Sequence, residues 1–355
     1  MVPAMTEGAG PDRELLEAAR AGDERAFARI VEPHRPELHA HCYRMLGSLH
    51  DAEDALQDTL LRAWRGLAGF AGRRPRPWLY AIATNVCLDA GARRRRRILP
   101  MDHGPPAAPG ADPGAPLEAS VWIEPFPDGE VGIGDGPLSP EARYERRESV
   151  ELAFIAALQH LPPRGRAVLI LREVIGFSAR ETAEALDSTT ASVNSALQRA
   201  RKAIDERLPA ASQQATLRAL GDDGVRDLVE RFIDAFERAD VDAIVALLAD
   251  DAEFAMPPYA NWARGRAAVA ESWLMPSGPP DSLRYVATRA NGQVALGTYA
   301  LDRQQGTYLP IALDVLTLRG AEIAVVLAFR STDSFARFGL PAEVTESQPS
   351  PRASR

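Results

Sequence analysis

Cysteine is nearly absent from this chain: there are two in 355 residues, Cys42 and Cys87, each in an apolar helical context. Neither a disulfide framework nor a four-ligand zinc site is expected from so few thiols, and both are expected to be buried. Lysine is scarcer still, Lys202 standing alone among 41 basic residues; the bias is compositional and carries no functional weight here. No run of 18 apolar residues occurs, and the opening MVPAMTEGAG lacks the basic-then-apolar pattern of a secretion signal. Membrane insertion and export are therefore not expected, and a cytoplasmic protein is. The last third has no histidine, and residues 101–140 have neither lysine nor arginine.

What is present is enough apolar material, 46% of the chain, to pack cores over a length that suits two to three domains. The net charge of -8 is unevenly spread: residues 1–100 and 141–211 are slightly basic, whereas 101–140 and 212–355 are acidic. A whole-chain pI of about 5.4 thus masks basic segments and does not exclude nucleic acid. Glycine and proline bunch between residues 100 and 140, where they recur too often for a helix.

Residues 12–97 are helical in period throughout, with breaks at Gly22-Asp23, Gly47 to Asp51 and Gly66 to Pro77. Residues 98–140 read as an acidic linker whose one apolar cluster is VWIEPFPDG. Helical signals resume over 141–208. After a polar joint near 210–223, two helical stretches lead into strand-like runs paired around Asn291-Gly292 and Arg319-Gly320, both hairpin signals. Helices followed by antiparallel hairpins predict an α+β domain over 222–340, and residues 341–355 are expected to be a disordered tail.

Two constellations carry chemistry. In DAEDALQDTLLRAW (51–64), Leu56, Leu60 and Trp64 make a core-facing stripe while Asp54, Gln57, Asp58 and Leu61 share another face. An acidic face beside an exposed leucine suits a protein partner with basic residues, although a solvated helix shows acids too. In RPWLYAIATNVCLDAGARRRRR (76–97), Leu79, Ile82, Ala83, Val86 and Ala90 supply a buried stripe, and Asn85, Asp89 and Arg93 fall on a different face. Five consecutive arginines at a helix end form a phosphate-binding footprint. Further on, FSARETAEALDSTTASVNSALQRARKAI (177–204) opens with the capping box Ser178-x-x-Glu181 and turns at Asp187-Ser188. The next helix buries Val193, Leu197, Ala200 and Ile204. Its opposite face offers Thr190, Asn194, Ser195, Gln198, Arg201 and Lys202, the residue types of a recognition helix.

In this order the motifs resemble the extracytoplasmic-function group of bacterial RNA polymerase sigma factors, over roughly residues 12–208. The resemblance implies a sigma region 2 at 12–97 that binds the β′ clamp helices of core polymerase through Asp51, Glu53, Asp54, Gln57, Asp58, Leu61 and Trp64. It implies melting and reading of the minus-ten element by Trp78, Tyr80, Asn85, Asp89 and the run Arg93, Arg94, Arg95, Arg96 and Arg97, with the loop from Phe70 to Pro77 offering a base pocket. Region 4, at 141–208, would read the minus-thirty-five element through Thr189, Thr190, Ser192, Asn194, Ser195, Gln198, Arg199, Arg201 and Lys202. The linker would thread through the polymerase, whose β and β′ subunits are the implied partners, toward the RNA exit path, and its Trp122 and Phe126 are expected to pack against another domain. The partners implied are core RNA polymerase and promoter DNA, with no membrane, no cofactor and no metal; an anti-sigma protein is compatible but not required. Gly91, a weak helix former, departs from the family pattern, and so do Asp187, Asn194 and Ala196.

Residues 222–340 resemble the SnoaL-like, ketosteroid-isomerase-like cone fold, which a subset of these sigma factors carries after the helix-turn-helix. A catalytic reading needs a titratable group inside the cone. Asp250, Asp251 and Glu253 are expected on an exposed turn and Asp314 on an outward position of a strand; Met256, Tyr259, Trp262 and Trp273 are expected in the core more than around a ligand. The domain is therefore read as a regulatory module without catalytic residues. The alternatives are a small-molecule isomerase or cyclase-like enzyme, a ligand sensor, or, for the whole chain, a polymerase-independent helix-turn-helix regulator.

Overall fold

A computed structural model describes residues 13–70, 74–92, 95–108, 110–130, 145–274 and 281–345. The chain forms two compact units, one of residues 1–94 with 161–206 and one of residues 95–160 with 207–355.

The first unit is helical. It begins with α1 (Arg13–Arg20), α2 (Glu24–Val31), α3 (Arg35–Leu46), α4 (Leu49–Gly66) and α5 (Pro75–Ala92). Short polar residues set the boundaries. Asp23 caps α2 by accepting from the Arg25 and Ala26 amides, Gly47 ends α3 in the left-handed region at φ 71°, and Ser48 caps α4 through the Asp51 amide. Every residue of α3 from Leu38 to Leu46 is buried, making it the central helix. His41 is neutral inside it, its pKa lowered to about 3 by burial and by Arg44, and its Nε2 lies 2.9 Å from Thr84 Oγ1 of α5. Cys42 and Cys87 are both free and buried, and burial raises the Cys87 thiol well above its ordinary range.

The chain then enters the second unit with α6 (Pro100–His103) and α7 (Leu152–His160), and returns to the first for α8 (Pro163–Leu169), α9 (Ala179–Ala185) and α10 (Thr190–Asp205). The remainder of the second unit carries α11 (Gln213–Glu237), α12 (Val241–Leu247), β1 (Leu248–Ala255), β2 (Trp262–Arg264), α13 (Arg266–Leu274), β3 (Leu283–Ala290), β4 (Gln293–Asp302), β5 (Thr307–Arg319), β6 (Glu322–Phe329) and β7 (Val344–Thr345). The sheet order is β2-β1-β6-β5-β4-β3 with β7 on β5. Among the described strands of the sheet only β1 and β6 pair in parallel; the others pair antiparallel. Phe232 and Phe236 of α11 stack on each other and meet Tyr285 of β3, in a core that continues through Leu296, Leu316 and Val326. This is the expected α+β arrangement.

Both hairpins form where the turn residues predict them. Asn291 and Gly292 take φ 56° and 69°, the left-handed pair that a two-residue turn requires, and Ala290 pairs with Gln293 across it. The polar joint expected near 210–223 is instead helix from Gln213 on, interrupted at Gly221, whose φ of 69° and ψ of 166° break the helical run. Gln213 and Gln214 are buried because partners distant in sequence satisfy them. The Gln213 side chain brackets the Leu318 backbone at 2.7 and 2.8 Å, Gln214 donates to the Gly292 carbonyl, and their amides point at the Glu151 carboxylate. Burial raises the Glu151 pKa to about 7 against those two amide bonds.

Candidate nucleic-acid interface

The helix-turn-helix is built by local rules. Ser178 Oγ accepts from the Glu181 amide at 3.1 Å while Glu181 accepts from the Ser178 amide at 2.8 Å, so the box closes both ways. Asp187 turns the chain at φ 47°. Thr189 then caps α10 through the Ser192 amide at 3.2 Å. Val193, Leu197, Ala200 and Ile204 are buried, which leaves Thr190, Ser192, Asn194, Ser195, Gln198, Arg199, Arg201 and Lys202 exposed on the remaining faces. Arg201 is held by Glu173 at 2.7 Å, a pairing that helical period alone does not disclose.

On α4, Asp54 and Gln57 are exposed and Asp58 half-buried, beside Leu61 at 53% exposure. Among the described residues Leu61 and Val241 are the two large apolar side chains left in solvent. Asp51 and Glu53 are half-buried. Trp64, also half-buried, sits edge-on to Phe27 at 5.1 Å and belongs more to the packing than to the exposed face. Arg62 lies between Asp58 at 2.9 Å and Asp89 of α5 at 3.1 Å, so one guanidinium ties the acidic face to the neighbouring helix. The sequence shows the first of these partners as an i,i+4 pair; the second depends on how the helices pack.

The minus-ten residues divide. Asn85 and Asp89 are exposed on α5, and Trp78 is half-buried, stacked on Phe70 at 4.6 Å. Tyr80 has to be corrected: it is 0% exposed, with its hydroxyl donating to Glu37 at 3.1 Å, so it is a core residue and not a surface reader. Burial, with Glu37 nearby, raises its pKa well above the ordinary tyrosine range. Arg97 also differs from expectation. It lies in the second unit at 8% exposure and donates to the carbonyls of Ala119 (3.0 Å) and Trp122 (2.7 Å), with Glu124 at 3.3 Å, so it braces the linker rather than phosphate. Arg96 lies 3.1 Å from His160 Nδ1, whose Nε2 faces Asp102 at 3.0 Å. Arg95 is exposed; Arg93 and Arg94 lie outside the described residues, as do residues 71–73 of the suspected base pocket.

The linker runs along the α+β domain. Trp122 Nε1 donates to the Pro258 carbonyl at 3.1 Å, the Leu117 amide to the same carbonyl at 3.0 Å, and Trp262 Nε1 to the Gly104 carbonyl at 2.8 Å. Phe126 is fully buried, and its amide donates to Asn291 Oδ1 at 2.8 Å while the Asn291 amide returns a bond to its carbonyl at 2.9 Å. Asn291 Nδ2 donates to Val150 O at 2.7 Å, Gly292 N to Asp128 Oδ1 at 2.7 Å, and Leu152 N to Gln293 Oε1 at 2.9 Å. Arg337 of this domain grips Glu130 with both arms of its guanidinium, at 2.6 and 2.7 Å. The dipeptide that reads as a turn signal is therefore also a hub for the linker and for the lead-in to α7.

Within the cone domain two expectations are overturned. Asp250, Asp251 and Glu253 lie on strand β1, not on a turn, and are paired with Arg266, Arg319 and Arg264. Asp314 points inward. It is 2% exposed on the same face of β5 as Ala312 and Leu316, accepts from Thr298 Oγ1 at 2.8 Å, and has its pKa raised to about 7 by burial. Tyr285 is raised well above its usual range by burial and by the neighbouring Asp314 and Glu237 carboxylates. Met256 and Tyr259 are half-buried and Trp262 is buried under the linker; the Trp273 side chain lies outside the described residues. Among the described residues no helix is long and apolar enough to cross a membrane.

Two helical promoter-reading regions followed by a cone domain define a sigma factor with a fused C-terminal module, and the comparisons with known proteins agree. Sigma-70 region 2 matches residues 30–97, Sigma-70 region 4 residues 151–204, and the SnoaL-like domain residues 229–333. The chain is 45% identical over 329 residues to the ECF RNA polymerase sigma factor SigG of Mycobacterium tuberculosis strain H37Rv, covering 91% of this chain and 85% of that one. It is 29% identical over 199 residues to SigW of Bacillus subtilis strain 168, spanning 55% of this chain and 96% of that relative. The crystal structure of M. tuberculosis SigJ, at 18% identity, superimposes with a TM-score of 0.54 over 88% of this chain and 99% of that one, a likeness of fold. The chain belongs to the extracytoplasmic-function family of RNA polymerase sigma factors. It is an alternative sigma factor that directs transcription initiation with core RNA polymerase at promoter DNA. Its C-terminal domain is SnoaL-like.

Proposed function

We propose that α4 docks on core polymerase through Asp54, Gln57, Asp58 and Leu61, that Asn85 with Arg93, Arg94 and Arg95 engages the minus-ten element, and that the outward face of α10 reads the minus-thirty-five element. The observation that carries this reading is the division of α10, with four apolar residues inward and hydrogen-bonding or basic residues outward. The leucine left in solvent beside the acids of α4 supports the docking face. Run-off transcription with core polymerase and the full chain tests the whole reading. Reversing Asp54 and Asp58 to arginine should weaken binding to core polymerase about tenfold or more while the helical fold persists, since rim charges steer and orient such encounters. Unchanged affinity in a titration would remove α4 from the interface.

On α10, replacing Asn194 or Gln198 by alanine should cost about 1 to 3 kcal/mol at the preferred site and relax base preference, whereas replacing Arg201 should weaken binding to all sequences alike and flatten the salt dependence. Footprints showing the same preference and salt slope for both kinds of change would mean that α10 does not enter the groove.

For the C-terminal domain we propose in-chain regulation rather than enzymatic turnover, exerted through the linker residues Trp122 and Phe126 that the domain holds. Asp314, an inward carboxyl in the cone, is the observation that favours the second reading, a ligand sensor or an isomerase or cyclase-like enzyme. Replacing Trp122 and Phe126 separates the two: regulation predicts altered promoter-dependent transcription, and the second reading predicts none.

A further inference from the structure

Asp89 occupies a position that does not favour an acid. It lies in the last turn of α5 (Pro75–Ala92), where the helix dipole opposes a negative charge, and it is exposed on the face that also carries Asn85. If that face meets the promoter, the carboxylate also confronts phosphates. Both penalties are relieved when the acid holds a cation.

The cation comes from another helix. Arg62 of α4 directs one terminal guanidinium nitrogen to Asp89 at 3.1 Å and the other to Asp58 at 2.9 Å. The bond to Asp89 is the largest effect on the Arg62 pKa, which lies above its ordinary value, and the bond to Asp58 adds to it. The three side chains are 44%, 60% and 47% exposed, so these pairs are too wet to contribute much to the stability of the fold. What the carboxylates do is fix a direction. They use only part of the five N–H donors of a guanidinium, a planar fork that suits a phosphate.

We propose that Arg62 is a further promoter contact, a phosphate-binding residue supplied to the reading face of α5 by the docking helix α4, and that Asp89 is its positioning residue and not a reader of bases. This rests on the roles proposed above for α4 and α5. When polymerase takes Asp58, Asp89 is the arm that remains. The long side chain is then ordered before DNA arrives, and the phosphate does not bear the cost of ordering it. Arg62 and Asp89 together are neutral, so the pair sets no net charge against the strand, and the contact that forms is charge-assisted.

Losing Asp89 has opposite consequences according to how it acts. Removing an acid near phosphates strengthens binding if only its charge matters, and weakens binding if it holds Arg62. The experiment uses the full chain in complex with saturating core polymerase, so that changes in docking do not enter. The probe is a fluorescent DNA fragment on which the parent complex gives run-off transcription, titrated at several salt concentrations. Arg62→Ala should lower the salt slope by about 0.7 to 0.9, the worth of one phosphate contact, which amounts to about five- to eightfold weaker binding at about 0.1 M salt. Asp89→Asn should weaken binding and lower the slope in the same direction, while Asp89→Glu, which keeps the carboxylate, stays closer to the parent. Arg62→Ala combined with Asp89→Asn should be no weaker than Arg62→Ala alone, because both act through one contact. Tighter binding and a steeper slope for Asp89→Asn would overturn the positioning role, and an unchanged slope for Arg62→Ala would overturn the phosphate contact. Asn85→Ala separates the premise from the inference. If it too leaves binding unchanged, α5 does not read the promoter; if it weakens binding while Arg62→Ala does not, the assignment of Arg62 alone is wrong.

Discussion

Replacing Asn291 by alanine should loosen the linker and the lead-in to α7 together, at a cost of about 3 to 7 kcal/mol. Its side chain accepts from the Phe126 amide at 2.8 Å and donates to the Val150 carbonyl at 2.7 Å, and all three residues are fully buried. Truncation strands one buried donor and one buried acceptor, each costing about 1 to 3 kcal/mol when left unpaired. Alanine also tolerates φ of 56° less well than asparagine, adding roughly 1 kcal/mol. The measurement is amide hydrogen exchange over residues 118–130 and 148–152, where the variant should exchange faster by a factor of a hundred or more while α10 is unaffected. Protection equal to the parent's would mean that Trp122 and Arg337 hold the segment without the turn.

The second large effect is on the pH dependence of stability. The Asp314 carboxyl titrates at about 7 in the fold against 3.8 in the open chain. Because the folded value is raised, its contribution is fully present below about pH 4 and is lost as the pH climbs through 7, by about 4 kcal/mol at about 1.4 kcal/mol for each unit. Glu151, raised to about 7 from 4.5, acts in the same window and the same direction. Asp314→Asn keeps an acceptor for Thr298 but cannot ionise. It should therefore be more stable than the parent at pH 8 by a few kcal/mol, show little difference at pH 4, and retain the smaller slope due to Glu151. Urea titrations followed on β5 peptides at the two pH values check this; an equal deficit at both would show that Asp314 acts through packing rather than charge.

How much of this was legible beforehand depended on the range of the interaction. The capping box at Ser178 and Glu181, the left-handed Asp187 and the Val193, Leu197, Ala200 and Ile204 stripe follow from residues at most four apart, and the helix-turn-helix formed as read. The hairpin at Asn291-Gly292 was likewise local. Its second role was not, because the bonds to Phe126 and Val150 join residues 165 and 141 positions away. Gln213 and Gln214 read as a solvated joint for the same reason: two buried amides look polar until Leu318, Gly292 and Glu151 are brought to them. Tyr80 and Asp314 show how period fails where an element is covered on more than one side. Tyr80 on α5 meets both His41 of α3 and Phe177, and β5 presents Asp314 to the helices rather than to water.

The position of α7 has a consequence for how such factors can be taken apart. By sequence it begins the region 4 match at residues 151–204, yet mechanically it goes with residues 95–160 and the cone domain. Heredity and mechanics thus cut this chain at different places, about ten residues apart. A chimera that exchanged C-terminal modules at the family boundary would carry away the partners of Val150 and Leu152 and leave their polar backbone groups without acceptors or donors. The transferable piece is instead discontinuous, the linker and α7 travelling with the domain that follows the recognition helix, so that exchanging the module means rebuilding the chain on both sides of the DNA reader.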